Sequence, residues 1–262
     1  MPVERFNPVA EFRNGYTPLK SREIRRYLES LASQESQALF SFFGKEMIVP
    51  TPPKELLTVL IRARGIDWLQ AEPHFLPEFT LSLDSEIPGW KIKPEQWFWT
   101  CLKNRHIPED SATLRGNWVI NDATPKPEVS NTFKIPPYED VVFPGLLSQL
   151  REDGKISWKE GLPRDSRFSI GNKELRSQVY PAIASLLEIE PTQVRSLREI
   201  EYNFLGNLVH PEWSTSTAEW LDDMMLLRPC FGGSNKNIYR MSEPAKKSPS
   251  DGLKKFQDVG TT

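Results

Sequence analysis

Residues 195–202, which read Arg-Ser-Leu-Arg-Glu-Ile-Glu-Tyr, are the stretch on which the fold prediction depends. Around this stretch, apolar residues recur at helical spacing, namely Val194, Leu197, Ile200, Phe204 and Leu205. The spacing predicts a helix that follows Pro191-Thr192 and ends before Gly206. Glu199 and Glu201 are two positions apart and do not share a helix face, so this pair does not indicate a general acid/base dyad.

Three other segments of the second half have helical patterns. One helix is expected over residues 139–153, and a second is expected to be capped at its N-terminus by Asn172. Because a proline removes a backbone N–H, Pro181 is expected to kink the second helix. A short third helix is expected around Trp220.

The first half also has clear helical segments. Helices are expected from Ser21, over Lys54–Arg64, and after Pro94. The apolar run 38–43 fits either a helix or a strand, because so short a run has no decisive period. The N-terminal part is therefore predicted to be mainly helical.

Strand signals are few. Residues 118–120 give the best one, ending at Asn121-Asp122, and residues 79–83 give a second within a segment interrupted by prolines. The polar stretch 105–115 lies between these two strands, and the main domain boundary is placed there.

Composition narrows the functional classes. The chain has 262 residues and a formal net charge of −2, with 38% hydrophobic and 26% charged residues, so a fully disordered or collagen-like chain is excluded. The near-neutral charge gives no overall attraction to nucleic acid or to an anionic membrane. Since no apolar run is long enough for a bilayer or a signal peptide, a cytoplasmic protein without a membrane partner is expected.

Catalytic and metal-binding motifs are not evident. Cys101 and Cys230 form no C-x-x-C pair, so two reduced, buried thiols are expected, with one long-range disulfide between them as the alternative. The histidines, His74, His106 and His210, are scattered, and none has a second ligand at metal spacing. A Cys101/His106 nucleophile–base pair would need a geometry that spacing does not supply. The sequence therefore predicts no metal, cofactor or catalytic residue.

Four local patterns follow one another in a fixed order, and together they carry a family resemblance. They are residues 173–180, residues 195–202, Glu219-Trp220 and Phe231-Gly-Gly-Ser234. This order resembles the formylglycine-generating-enzyme-type domain, a divergent C-type-lectin fold. That family typically shows Arg-Leu-Pro-Thr-Glu-Ala-Glu-Trp, then Asn-Val-Trp-Glu-Trp, then Arg-Gly-Gly-Ser.

The resemblance covers roughly residues 117–235 and implies structural roles for the residues that match. These residues are Arg195, Glu199, Glu201, Trp220, Gly232 and Gly233. In such a loop-rich scaffold, an Arg and two Glu on a helix would satisfy buried loop groups, and a Gly-Gly pair would allow close backbone approach. The positions that depart from the family pattern are Ser196, Leu197, Arg198, Tyr202, Ala218 and Phe231.

The implied fold class is α+β. A mainly helical N-terminal module, 1–115, would be followed by an irregular, loop-rich C-type-lectin-like domain, 116–241, and a disordered tail, 242–262. Family members normally close with a Trp-bearing stretch and a Gly-Phe-Arg strand. Here the chain continues into a Pro/Ser/Lys-rich segment, so the domain is expected to be incomplete at its C-terminus.

The implied function is non-catalytic binding of a protein or small-molecule ligand. The family's enzymes use a copper-binding cysteine pair in their C-terminal part, where this chain has only Cys230. Residues 201–213 and the Glu-Trp that follows them look like the variable proteins of bacterial diversity-generating retroelements, which display a mutable binding face. The resemblance places that face at Asn235, Asn237, Tyr239 and Arg240, whose side chains give adaptable polar and aromatic contacts.

Two alternatives stay open. An oxidase-type enzyme of the formylglycine-generating class would need a metal or thiol centre at Cys101 or Cys230. A nucleic-acid-binding adaptor would use Arg22, Arg25 and Arg26 with the lysines of the tail. The adaptor ranks last because the net charge is slightly negative.

Overall fold

The computed structural model describes two long stretches and several shorter ones. They are residues 21–66, 69–123, 145–158, 160, 164–165, 170–211, 213, 219–225 and 228–232. Helix and sheet are both present, which confirms the α+β class at this coarse level. The proposed tail 242–262 lies outside the described residues.

Two helices begin the described chain. Helix α1, Ser21–Phe43, begins at Ser21 and continues through the apolar run 38–43, which is therefore helical. Helix α2, Lys54–Arg64, has the predicted bounds, and the N–H of Gly65 donates to Ile61 O and Arg62 O at its end. Both N-terminal helix predictions are confirmed because each rests on a long apolar period.

Strands β1, Ala71–Thr80, and β2, Thr113–Asp122, form an antiparallel pair. The strand expected over 79–83 is wrong for residues 81–83, and β1 instead extends back to Ala71. The sequence gives no strand signal before residue 79 because Pro73 and Pro77 interrupt that segment. Phe75, between them, directs its N–H away from β2 to Oε2 of Glu35. Pro73 and Pro77 alternate with Phe75, so the N–H that each lacks belongs to the free edge and not to the ladder.

Helix α3, Gln96–Lys103, confirms the short buried helix expected after Pro94. A 3-10 turn, Glu109–Ala112, leads from it into β2, so residues 113–115 are strand and not loop. The expected domain boundary between residues 115 and 116 therefore lies inside β2.

The second half is built from shorter helices. They are α4, Leu146–Glu152; α5, Asn172–Glu174; α6, Tyr180–Leu187; and α7, Glu199–Leu208. A π-helical turn, Leu175–Val179, joins α5 to α6 just before Pro181. For the helix expected over 139–153, the structure describes only its later part, as α4.

Helix α7 begins later than expected after the 3-10 turn Pro191–Gln193. Arg198 is extended, and its backbone N–H donates to Oε2 of Glu201 at 2.9 Å. Because Glu201 satisfies the N–H at Arg198, the helix starts at Glu199. The apolar period before it continues through extended residues and is not helical there.

Strands β3, Glu219–Met225, and β4, Arg228–Gly232, pair antiparallel. The short helix expected around Trp220 is therefore wrong. Trp220 is opposite Phe231 in this pairing. The hairpin gives both segments ladder hydrogen bonds, whereas an isolated short helix is marginal.

The main hydrophobic core draws on both halves of the chain. It includes Leu39 and Phe42 of α1, Phe75 of β1, Leu114 of β2 and Phe204 of α7. Phe42 and Phe204 meet edge to face, with ring centroids 5.0 Å apart. Among the described residues, the expected boundary at 115/116 thus does not separate two hydrophobic cores. Every described helix is too short or too polar to cross a lipid bilayer.

Candidate functional site

A cluster of one glutamate and two histidines, Glu72, His74 and His210, joins β1 to the segment that follows α7 and is called the histidine cluster below. Glu72 and His74 are two positions apart on β1 and therefore project from the same face. Oε2 of Glu72 lies 3.4 Å from Nε2 of His74 and 3.1 Å from Nε2 of His210. The three residues offer ligand atoms that all lie within 4.8 Å of one another, although Glu72 and His210 are 138 positions apart.

The second ring nitrogen of His74 faces a buried carboxylate on α1. Nδ1 of His74 lies 3.1 Å from Oε1 of Glu35, and Oε2 of Glu35 accepts the N–H of Phe75 at 3.1 Å. Glu35 and His74 are both buried. With a proton on Nδ1 held by Glu35, Nε2 of His74 is directed at Glu72 and can act as a ligand.

His210 is positioned by the end of α7 and by a stack of aromatic rings. The backbone N–H of His210 donates to Leu205 O, and the imidazole ring lies parallel to the Trp213 ring with centroids 4.4 Å apart. Trp213 in turn stacks on Tyr202, whose hydroxyl donates to Trp213 O. The His210 ring is therefore held in one orientation toward Glu72.

The carboxylates of Glu35 and Glu72 stabilise the protonated, positively charged form of His74. Burial lowers the pKa of His74, but the hydrogen bonds and charges of Glu35 and Glu72 outweigh burial and raise this pKa to about 9. The hydrogen bond with His74 lowers the pKa of Glu72; partial burial opposes this, and the charges of His210 and His74 add to the lowering. Two carboxylates thus converge on His74.

Two of the distances between these atoms are also close to those around a tetrahedral metal ion. Ligands at about 2.1 Å from zinc, with tetrahedral angles, are about 3.4 Å apart. The contacts of Glu72 with His74 and His210, at 3.4 Å and 3.1 Å, are close to this value. Two imidazoles and a carboxylate are ligands that zinc takes in proteins. The arrangement can therefore hold either protons or a metal ion.

Arg195 and Glu201, two of the residues expected to be structural, lie away from this cluster at the start of α7, together with Arg198, which the resemblance did not single out. Arg195 donates from Nη1 to Oε2 of Glu201 at 2.7 Å and from Nη2 to Oε1 at 2.9 Å. Arg198 donates to the same carboxylate from its backbone N–H, Nε and Nη2. It also donates to Asp110 O and Thr113 O, which ties α7 to the start of β2. This group, Arg195, Arg198 and Glu201, is called the arginine clamp below.

The other residues expected to be structural lie outside the arginine clamp. Glu199 is buried at the first turn of α7. Trp220 is in β3, and Gly232 ends β4 opposite Glu219. Gly233 lies outside the described residues.

The residues expected to bind a ligand all lie outside the described part of the chain. They are Asn235, Asn237, Tyr239 and Arg240. Their role therefore stays a prediction.

Cys101 is a free, buried cysteine, and burial raises the pKa of its thiol. A raised pKa keeps a thiol protonated and unreactive, which does not suit a nucleophile. The backbone N–H of His106 donates to Cys101 O. Cys101 forms no disulfide in the structure, and the reduced state expected for the two cysteines stays a prediction.

Spacing alone did not reveal the histidine cluster. Glu72 and His74 would share a face only if their segment were a strand, and the prolines in that segment argued against one. His210 has no local signal, because its partners come from distant parts of the chain. The rings of His74 and His210 lie 6.2 Å apart in the fold.

Comparisons with known proteins give no relative from which a role could be taken. No protein-family model, no curated protein and no solved structure matches the chain. The resemblance to the formylglycine-generating-enzyme-type domain therefore stays a prediction.

Proposed function

We propose that this protein binds a divalent transition metal ion, zinc above others, through Glu72, His74 and His210. The observation that carries the proposal is the convergence of one carboxylate oxygen and two imidazole nitrogens within 4.8 Å, from segments far apart in the chain. His74 is in addition backed by Glu35 in the carboxylate–histidine arrangement found behind metal ligands.

The donor set selects the kind of metal. Imidazole nitrogens suit zinc, copper, nickel and iron, whereas calcium and magnesium take mainly oxygen ligands in larger number. Two nitrogens and one carboxylate therefore favour zinc and its neighbours over the hard cations. Zinc needs only four ligands, and the cluster offers three of them.

The position of the cluster indicates what the ion would do for the fold. Glu72 and His74 belong to β1, and His210 follows α7. An ion bound to all three would link these two elements, and binding to the folded state alone would raise stability with metal concentration. We therefore assign the ion a role in holding the two halves of the chain together.

The test is metal affinity measured by calorimetry with Zn²⁺ and by absorption with Co²⁺. Glu72→Gln and His210→Asn each remove a ligand, and each is expected to weaken binding by more than about 100-fold, the upper range for loss of an outer-shell partner. His106→Ala is the matched control, because it removes the third histidine of the chain and leaves the cluster intact.

Two results would overturn the proposal. One is wild-type protein that takes up no stoichiometric Zn²⁺ or Co²⁺ after dialysis. The other is a His106→Ala variant that loses as much affinity as His210→Asn, since that would indicate non-specific histidine binding. Circular dichroism of each variant establishes that it is folded before its affinity is compared.

We also propose a ligand- or protein-binding surface at Asn235, Asn237, Tyr239 and Arg240, on the lectin-like scaffold implied by the resemblance. The β3–β4 hairpin favours it, because β4 contacts α7 and ends at Gly232, only a few positions before these residues in the sequence. Alanine at each of the four positions is expected to change the free energy of unfolding by no more than about 0.5 kcal/mol. Loss of folding in these variants would contradict a surface role.

A further inference from the structure

A buried asparagine lies beside the candidate metal site. Asn121 on β2 is directly opposite Glu72 on β1. Residues paired in this way in an antiparallel sheet project from the same face, with Cα atoms about 4.5–5.5 Å apart. Asn121 therefore lies on the face that carries Glu72 and His74.

The side-chain amide nitrogen of Asn121 is a buried hydrogen-bond donor. The residue is only 7% exposed, and its Nδ2 has no hydrogen-bond partner among the residues that the structure describes. A buried donor without an acceptor costs about 1–3 kcal/mol. Such a group beside a ligand cluster is well placed to donate to something that the cluster holds.

A tetrahedral metal ion held by the cluster would have one coordination position left over. Its three protein ligands leave the fourth position of a tetrahedral ion open, as in zinc sites that bind water or substrate. The side chain of Glu72 is 42% exposed, so solvent reaches this side of the site. An oxygen ligand entering from solvent could coordinate the ion and accept a hydrogen bond from the neighbouring strand.

Building on the metal site proposed above, we infer that its fourth position takes an exchangeable oxygen ligand, water or a small carboxylate that displaces it, and that Asn121 donates from Nδ2 to this ligand. Asn121 is then a positioning residue and not a ligand of the metal. No bond is made or broken apart from exchange of the ligand on the ion.

The experiment uses the Co²⁺-loaded full chain titrated with acetate, followed by its visible absorption. Wild-type protein is expected to show a saturable spectral change. Asn121→Ala is expected to weaken acetate binding by about 10-fold, which is the scale of one hydrogen bond to a charged group, with Co²⁺ affinity within about threefold of wild type. Asn117→Ala is the matched control, because Asn117 lies on the same face of β2, opposite Leu76, and should leave both affinities unchanged.

Asn121→Asp gives a second variant of the same shape that has no N–H to donate, and it should lose the acetate response as well. Bound Co²⁺ with no spectral response to acetate in the wild type would overturn this inference alone. It would also fall if Asn121→Ala lost Co²⁺ affinity as strongly as Glu72→Gln, since the amide would then be a ligand. A wild-type chain that binds no Co²⁺ would overturn the metal site and this inference together.

Discussion

The arginine clamp and the histidine cluster are two charged groups that differ in how many hydrogen bonds the central carboxylate accepts. Glu201 accepts five hydrogen bonds from two arginines and is completely buried. Glu72 accepts from two histidines at one oxygen and keeps a partly exposed side chain. A saturated carboxylate holds parts of a fold together, whereas one with remaining lone pairs can bind an ion.

The two groups also differ in the origin of their members. The arginine clamp comes from seven consecutive positions, 195–201, and then reaches across to Asp110 O and Thr113 O. The histidine cluster and the carboxylate behind it come from segments far apart in the sequence, because α1, β1 and the end of α7 each supply a residue. Local groups are visible as sequence patterns, and assembled groups depend on the fold.

Replacement of Glu201 should have the largest effect on stability. Glu201→Gln leaves the buried Arg198 without its charge partner, and breaking a buried pair in this way costs about 3–5 kcal/mol. Urea unfolding should show this loss, while Glu78→Gln, at an exposed position of β1, should stay close to wild type. A Glu201→Gln variant as stable as wild type would mean that the arginine clamp holds nothing together.

The support behind His74 should matter for metal affinity. Glu35→Gln keeps an oxygen to accept the N–H of Phe75 but offers an amide N–H to Nδ1 of His74, which favours the tautomer with the proton on Nε2. Zn²⁺ affinity is expected to fall about 10–100-fold. Calorimetry beside Glu29→Gln, on an exposed position of α1, checks this, and unchanged affinity would separate Glu35 from the metal site.

Acid should weaken the arginine clamp. Burial raises the pKa of Glu201, but the hydrogen bonds and charges of Arg195 and Arg198 outweigh it, so this pKa is lowered from 4.5. Since the folded value lies below the unfolded one, the stabilisation is present above pH 4.5 and is lost as the pH falls through the folded pKa. This group should contribute up to about 1.4 kcal/mol per pH unit to the loss.

Unfolding midpoints of wild type and Glu201→Gln, measured from about pH 6 to pH 3, isolate that contribution. The variant should show a shallower dependence on pH than wild type. Equal slopes would show that Glu201 does not cause the acid sensitivity.

An exposed ion pair should give the smallest effect. Arg62 on α2 pairs with Glu188 after α6, and Glu188 is largely exposed. Glu188→Gln is expected to cost about 0.2–1 kcal/mol, and less at high salt. The backbone carbonyls of Leu187 and Glu188 still accept from Arg62 in the variant. A loss as large as that of Glu201→Gln would show that burial does not set the difference between the pairs.

Much of the helical structure could be predicted, and most of the sheet could not. The apolar period of Lys54–Arg64 and the stop at Gly65 gave α2 its correct bounds, because both signals lie within one segment. Prolines hid β1, since only the pairing with β2 shows that they occupy the free edge. The hairpin containing Trp220 was missed for the same reason, because its ladder partner lies beyond the local pattern.

By itself, the sequence determined the balance of charge, the main helices and the set of arginines and glutamates around residues 195–201. The tertiary structure alone decided that Glu72, His74 and His210 meet, with Glu35 behind them and Asn121 beside them. The physical reason is distance along the chain. Helical periods and caps act over a few residues, whereas a ligand cluster forms only when packing brings remote strands and helix ends to within a few ångströms.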